Sequence, residues 1–250
     1  MIISHKYKYI FIKPYKVAGT SVEIALAKHC GTDDIITPIT EYDPVSDSSE
    51  YQQPTRNYKE KEFYNHITPE EIKIRIDPEI WKEYFKFTII RNPWDQVVSR
   101  YFWNKHKAAS LKGLITYDAI ISNVINPRAY YYLLENLMQK ISRKLLSLFL
   151  DDFEIFLLFY EKRWKNTRYY FDSNENPICD FYLKFENLED DYKTVCNKLG
   201  IPFEKLPLTK NKLRKEKRNF AQYYSRFSNR KLRSLLKKEI EFFSYEFGEV

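Results

Sequence analysis

The chain has 250 residues, 44% of them hydrophobic and 17% aromatic, which excludes a disordered or fibrous polymer and allows a sizeable buried core. Its net charge of +7 is unevenly placed: Lys205 to Lys238 hold 13 Lys or Arg against one acid, Glu216, a local +12 that leaves −5 on the remainder. Three scattered cysteines, four histidines without metal-ligand spacing, no apolar run approaching 18 residues and no signal-peptide pattern give the expectation of a cytoplasmic protein with no metal and no membrane span.

In chain order, Tyr7 to Lys13 reads as a strand and Thr20 to Cys30 as a helix. Residues 41–62 are polar, aperiodic and carry two prolines, and are expected to form a long surface loop. Pro69 to Arg75 and Pro78 to Tyr84 read as short helices, each with Pro in its first turn. "FKFTII" (85–90) fits a buried parallel strand, and Trp94 to His106 a helix after it. Residues 105–165 read as mainly helical, 168–185 as a hairpin turning at Asp172 to Pro177, Leu188 to Leu199 as a helix stopped by Gly200 and Pro202, and Asn229 to Phe242 as a cationic helix. Alternating strands and helices without a long linker predict one α/β domain over 1–250.

Two stretches carry chemistry. The first is "FIKPYKVAGTS" (11–21), a strand running into Lys16, Gly19, Thr20 and Ser21 and then a helix. With only 5 glycines in the chain, Gly19 is expected to have a backbone role, letting the N–H groups of Ala18, Gly19, Thr20 and Ser21 close on an anion. It is not a Walker A loop, which needs Lys directly after the second Gly. An ordinary strand-to-helix turn is the competing reading. The second is "RNPWDQVVSRY" (91–101), with Arg91 at the carboxyl end of a strand and Ser99 about two helical turns on. An Arg fork and a hydroxyl can hold a phosphate, although Arg91 pairing locally and Ser99 facing solvent would account for the pattern equally. Trp94 and Trp103 fit core packing better than stacking on a base or sugar.

Together the two stretches resemble the cofactor motifs of sulfotransferases that use 3′-phosphoadenosine 5′-phosphosulfate (PAPS), and their wording is most similar to the branch containing carbohydrate sulfotransferases. "LKFENLEDDYKTVCNKLGIP" (183–202) and the terminal "FFSYEFGE" (242–249) resemble further family segments. The resemblance implies a P-loop-like parallel sheet flanked by helices, with Lys16 as the catalytic lysine, Ala18, Gly19, Thr20 and Ser21 around the 5′-phosphosulfate, and Arg91 and Ser99 on the 3′-phosphate. It also implies that some of Lys210, Lys212 and Arg214, in a stretch placed like the family's cofactor-closing loop, complete that pocket or attract an anionic acceptor, and that the acceptor is a hydroxyl of a saccharide. Val17, Gln96 and Lys184 stand where the family often has Thr, Arg and Arg, which predicts looser cofactor contacts. His66 in "YNHITPEEI" is the expected base, its ordinary pKa of about 6.5 suiting proton removal near neutrality. Glu23, Glu70 and Glu71 are the alternatives to it. The readings weighed against this one are a basic nucleic-acid-binding protein, resting on the C-terminal charge alone, and a nucleotide kinase, which the missing Walker lysine disfavours.

Overall fold

The computed structural model describes residues 1–37, 62–111, 152–158, 165–207 and 219–248. Its centre is a five-stranded sheet formed by β1 (Ile2–Ser4), β2 (Tyr9–Ile12), β3 (Ile35–Ile36), β4 (Phe85–Ile90) and β5 (Phe181–Lys184), in the order β3-β1-β2-β4-β5. The three strands β2, β4 and β5 are parallel, in the registers Ile12↔Thr88 and Ile90↔Lys184. β1 and β3 extend the sheet antiparallel beyond β2. The helices are α1 (Gly19–Ala27), α2 (Pro69–Lys73), α3 (Pro78–Glu83), α4 (Pro93–Leu111), α5 (Asp152–Leu158), α6 (Thr167–Tyr170), α7 (Leu188–Leu199), α8 (Arg226–Leu235) and α9 (Lys237–Phe242).

The strands alternate between two buried faces, as a period-2 backbone requires. Ile2, Tyr9, Phe11, Phe87, Ile89 and Leu183 pack on one side with Val22 and Leu26 of α1 and Val195 and Cys196 of α7. Ile3, Ile10, Ile12 and Ile90 pack on the other with Ile72 of α2, Tyr169 and Tyr170 of α6, and Phe243. A third cluster lies apart from the sheet, where Trp94, Val97 and Val98 of α4 meet Phe153 and Leu157 of α5, Leu232 of α8 and Ile240 of α9.

The α/β class and the strand at 85–90 agree with the sequence reading, and several details differ. The short strands β1 and β3 carry too few residues to show a period. The expected hairpin at 168–185 shrinks to one bridge, Phe171↔Pro177, because Phe181–Lys184 pairs with β4 instead. The cationic helix breaks at Leu236 into α8 and α9. Gly200 ends α7 in the left-handed region (φ 67°), where Ile201 N–H donates to the Cys196 carbonyl (2.9 Å). Residues 38–61, 112–151, 159–164, 208–218 and 249–250 lie outside the described residues, and with them most of the expected loop, most of the middle helical region, and Lys210, Lys212 and Arg214.

Several described cations of the C-terminal block have partners within the fold. Lys231 Nζ donates to the Leu157 carbonyl at the end of α5 (2.9 Å), Arg233 lies over Trp94, and Lys238 pairs with Glu175. Among the described residues no helix is long and apolar enough to cross a membrane.

Glu239 of α9 is buried and accepts a hydrogen bond from Thr167 Oγ1 (2.5 Å). Burial pushes its carboxyl up to about 7, against the opposing pull of Thr167 and Lys165. A raised carboxyl contributes stability that is complete below its unfolded pKa and lost as pH rises through the folded one. Glu239→Gln, which keeps the acceptor oxygen, is therefore expected to lose this slope. Its stability relative to the parent should rise between pH 4.5 and 8 by on the order of 2–3 kcal/mol, read by urea denaturation at several pH values.

Candidate active site

Parallel pairing of β2 and β4 brings the ends of two strands to one edge, so segments 75 residues apart meet. Thr88 Oγ1 reinforces the junction by donating to the Ile12 carbonyl (3.0 Å). From β2 the chain turns through 13–18 into α1, with Lys16 (φ 61°) and Ala18 (φ 62°) both left-handed. Such non-glycine conformations cost on the order of 1 kcal/mol each and persist where surrounding contacts enforce them. Left-handed residues in such a turn cup the backbone N–H groups into an anion-binding concavity. Ala18 is the N-cap of α1 and has no side chain to cap with, whereas Thr68, Asp77 and Ser225 cap α2, α3 and α8.

Gly19 also has a role that the sequence reading did not anticipate. The left-handed positions fall on Lys16 and Ala18, and Gly19 is required because a Cβ there would lie 2.8 Å from Cγ of Lys13. The Lys13 side chain passes across Gly19 to an ion pair with Glu23, and both groups are buried. Glu23 also binds the Met1 nitrogen (3.2 Å).

Arg91 follows β4 and joins the two loops. Its Nη1 donates to the Lys16 carbonyl (3.0 Å), its Nε and Nη2 hold Asp95 Oδ2 (2.8 and 2.5 Å), and its guanidinium lies 3.9 Å from the Phe185 ring centre. Local pairing, one of the two sequence readings, is thus what Arg91 does here, with the addition that it grips the first loop. Ser99 is half-buried two turns along α4, and among the described residues no hydrogen bond joins it to Arg91 or Lys16. Lys16 Nζ sits over the Trp103 ring at 4.4 Å, while Trp94 is buried in the third cluster. The three departures from the family pattern also find places. Val17 is fully buried in the core, Gln96 is buried with its Nε2 donating to the Tyr15 carbonyl (3.2 Å), and Lys184 is exposed.

His66 lies behind the same loop, at φ 62°. Its ring stacks on Tyr15 at 3.9 Å, and its Nδ1 is 2.9 Å from the Lys13 carbonyl. A carbonyl only accepts, so Nδ1 carries the proton and Nε2 keeps the basic lone pair. Burial first, and the Lys13 charge second, hold the imidazole well below its usual value, so it is neutral at pH 7. The alternative bases are otherwise engaged. Glu23 is sealed in its ion pair, Glu71 closes a capping box with Thr68 and accepts from Tyr64, and Glu70 is exposed on the first turn of α2.

No motif marks the residues that hold this arrangement. Asn166 binds both the N–H and the C=O of Tyr15 (3.0 and 2.8 Å), Tyr169 donates to the His66 carbonyl (2.8 Å), and the Arg100 guanidinium lies 4.5 Å from the Tyr15 ring centre. Asn166 and Tyr169 come from a stretch about 150 residues downstream with no motif of its own, and only the fold brings them near.

The fold and this edge define an α/β protein with a left-handed turn leading to an uncapped helix N-terminus, beside an arginine and a neutral histidine. A family model described as "Sulfotransferase family" matches residues 1–246, and the chain belongs to that family. It is thus a transferase that moves a sulfuryl group to an acceptor hydroxyl. Neither a curated protein nor a solved structure matches the chain.

Gly19→Ala is expected to destabilise the protein by about 1–3 kcal/mol, because the added methyl meets a lysine fixed in a buried pair. Gly31→Ala, whose nearest neighbour is Lys6 at 3.9 Å, should be close to neutral in the same urea titration.

Proposed function

We propose that the chain transfers the sulfuryl group of PAPS to a hydroxyl of a carbohydrate or glycoconjugate. The observation that carries this reading is the hydrogen bond from Arg91 to the Lys16 carbonyl, which sets the two motif loops into one mouth. The residues fit a doubly phosphorylated donor. They comprise a left-handed turn leading to a helix N-terminus without a side-chain cap, a lysine beside it, and an arginine across from it. PAPS, when bound, supplies a sulfuryl group activated by a phosphate leaving group.

In this reading the N–H groups of Ala18, Gly19 and Thr20 hold the 5′-phosphate end, and Ser21, whose N–H donates to the Ala18 carbonyl (3.0 Å), adds its hydroxyl. Lys16 counters the negative charge that grows on the leaving oxygen as the S–O bond breaks. Arg91, with Ser99, holds the 3′-phosphate by exchanging part of its pairing with Asp95, and Lys210, Lys212 and Arg214 close over it. His66 Nε2 takes the proton from the acceptor hydroxyl as the new O–S bond forms, while Lys13 holds the Nδ1 proton in place. The carbohydrate acceptor rests on the wording of the two motifs. A cytoplasmic setting rests on Cys30, Cys179 and Cys196, all free thiols.

Calorimetric titration with PAP, the desulfated product of PAPS, tests the donor. PAP should bind at least tenfold more tightly than AMP or ATP. Arg91→Ala should abolish that preference, and Lys16→Ala should lower kcat a hundredfold or more with a smaller effect on PAP affinity. Equal binding of PAP and ATP would overturn the assignment. His66→Ala should lower kcat by about 10²–10⁴-fold. Because the folded imidazole protonates below its ordinary value, the acid limb of kcat/KM is expected below pH 6.5, and a limb above 6.5 would remove His66 from the role.

A further inference from the structure

We infer that residues 166–169 form a brace that sets the distance between Lys16 and His66, with Asn166 and Tyr169 as positioning residues for sulfuryl transfer; this rests on the roles proposed for Lys16 and His66.

Asn166 is the N-cap of α6, a position where an asparagine ordinarily caps its own helix. It makes no such cap. It is fully buried, and its carboxamide goes instead to a single residue, Tyr15, accepting from the N–H and donating to the C=O. Every polar function of the Tyr15 backbone is thereby fixed, and Gln96 adds a second donor to its carbonyl. The next residue is Lys16, in the left-handed conformation, which this clamp helps to enforce.

Three positions on, at the end of α6, the Tyr169 hydroxyl donates to the carbonyl of His66, another left-handed residue, and the Tyr169 ring meets Tyr15 edge-on at 5.9 Å. The Tyr15 ring in turn stacks on the His66 imidazole. A four-residue segment thus grips the backbones of both loops that carry the proposed reacting groups. Its middle is tied down by Thr167, which bonds Glu239 of α9. The two side chains aim their polar atoms at the backbone of these two loops, Asn166 at the residue before left-handed Lys16 and Tyr169 at left-handed His66 itself.

Two variants test the brace. Tyr169→Phe removes one hydroxyl and keeps the ring, and Asn166→Asp places an oxygen against the Tyr15 carbonyl where an N–H donor stood. Each is measured for kcat, acceptor KM, PAP affinity and thermal unfolding, and for the ¹⁵N resonances of labelled histidine in the full-length protein. Tyr169→Phe is expected to lower kcat fivefold or more with PAP affinity within twofold, and to shift the His66 Nδ1 and Nε2 resonances while those of His5, His29 and His106 stay in place. Asn166→Asp should lower kcat further and weaken PAP as well, because it loosens the residue before Lys16. Folded variants with kcat within twofold of the parent and unmoved His66 resonances would overturn the proposal. Losses that only track a falling melting temperature would do the same. If Asn166→Asp does not fold, Tyr169→Phe decides alone. The histidine resonances need no donor, so a failure of PAP to bind would count against the donor assignment and leave the brace to be judged on them.

Discussion

The parallel register of β2 on β4 is the constraint from which the rest of the edge follows. Tyr9 opposite Phe85 and Ile12 opposite Thr88 start the two strands level, and β4 runs only two residues further, to Ile90, so the turn after β2 and the turn after β4 leave the sheet at the same edge. A slip by one residue would invert every side chain and move Phe11, Ile12 and Phe87 to the wrong faces. With both faces of the sheet covered by helices, that slip has nowhere to go. The hydrogen bond from Arg91 to the Lys16 carbonyl is available only because of this alignment.

On that rigid frame sits a strained surface. Lys16, Ala18 and His66 are left-handed without being glycine. What keeps them there is specific and polar: the carboxamides of Asn166 and Gln96 on Tyr15, the hydroxyl of Tyr169 on His66, and the Lys13 carbonyl on the imidazole. Lys13 acts twice, since its ammonium is also buried against Glu23 beneath α1. A buried ion pair of this kind adds little net stability, but removing either partner leaves an uncompensated charge, so it fixes one arrangement strongly. The shape of the loop is thereby tied to the identity of a single glycine across which that lysine passes.

Much of this was legible from residue order. The strand at 85–90 and the helices at 69, 78 and 188 announce themselves by periodicity, by proline at helix starts and by glycine at a helix end. One reason for Gly19 was hidden, because a glycine before a helix suggests backbone freedom and the side chain lying across it comes from position 13. β1 and β3, at three and two residues, are shorter than any pattern that could be recognised. Asn166 and Tyr169 could not be found at all, since a side chain that binds backbone 151 residues away leaves no spacing rule behind. The histidine was visible as a residue type, but its tautomer depends on a carbonyl contributed from position 13.

The third apolar cluster, built by α4, α5, α8 and α9 away from the sheet, bears on how such a protein can diversify. It shares no fully buried residue with the two clusters that hold the strands, while α4 reaches Tyr15 and Lys16 through Gln96, Arg100 and Trp103, and α9 reaches residue 167 through Glu239. The apolar side chains that α5 and α8 contribute, Phe153, Leu157 and Leu232, can be exchanged for others of similar volume without touching strand register or the clamp on Tyr15. A lineage carrying this architecture can therefore drift in one flank of its core while the strand ends and the clamped loop are inherited unchanged.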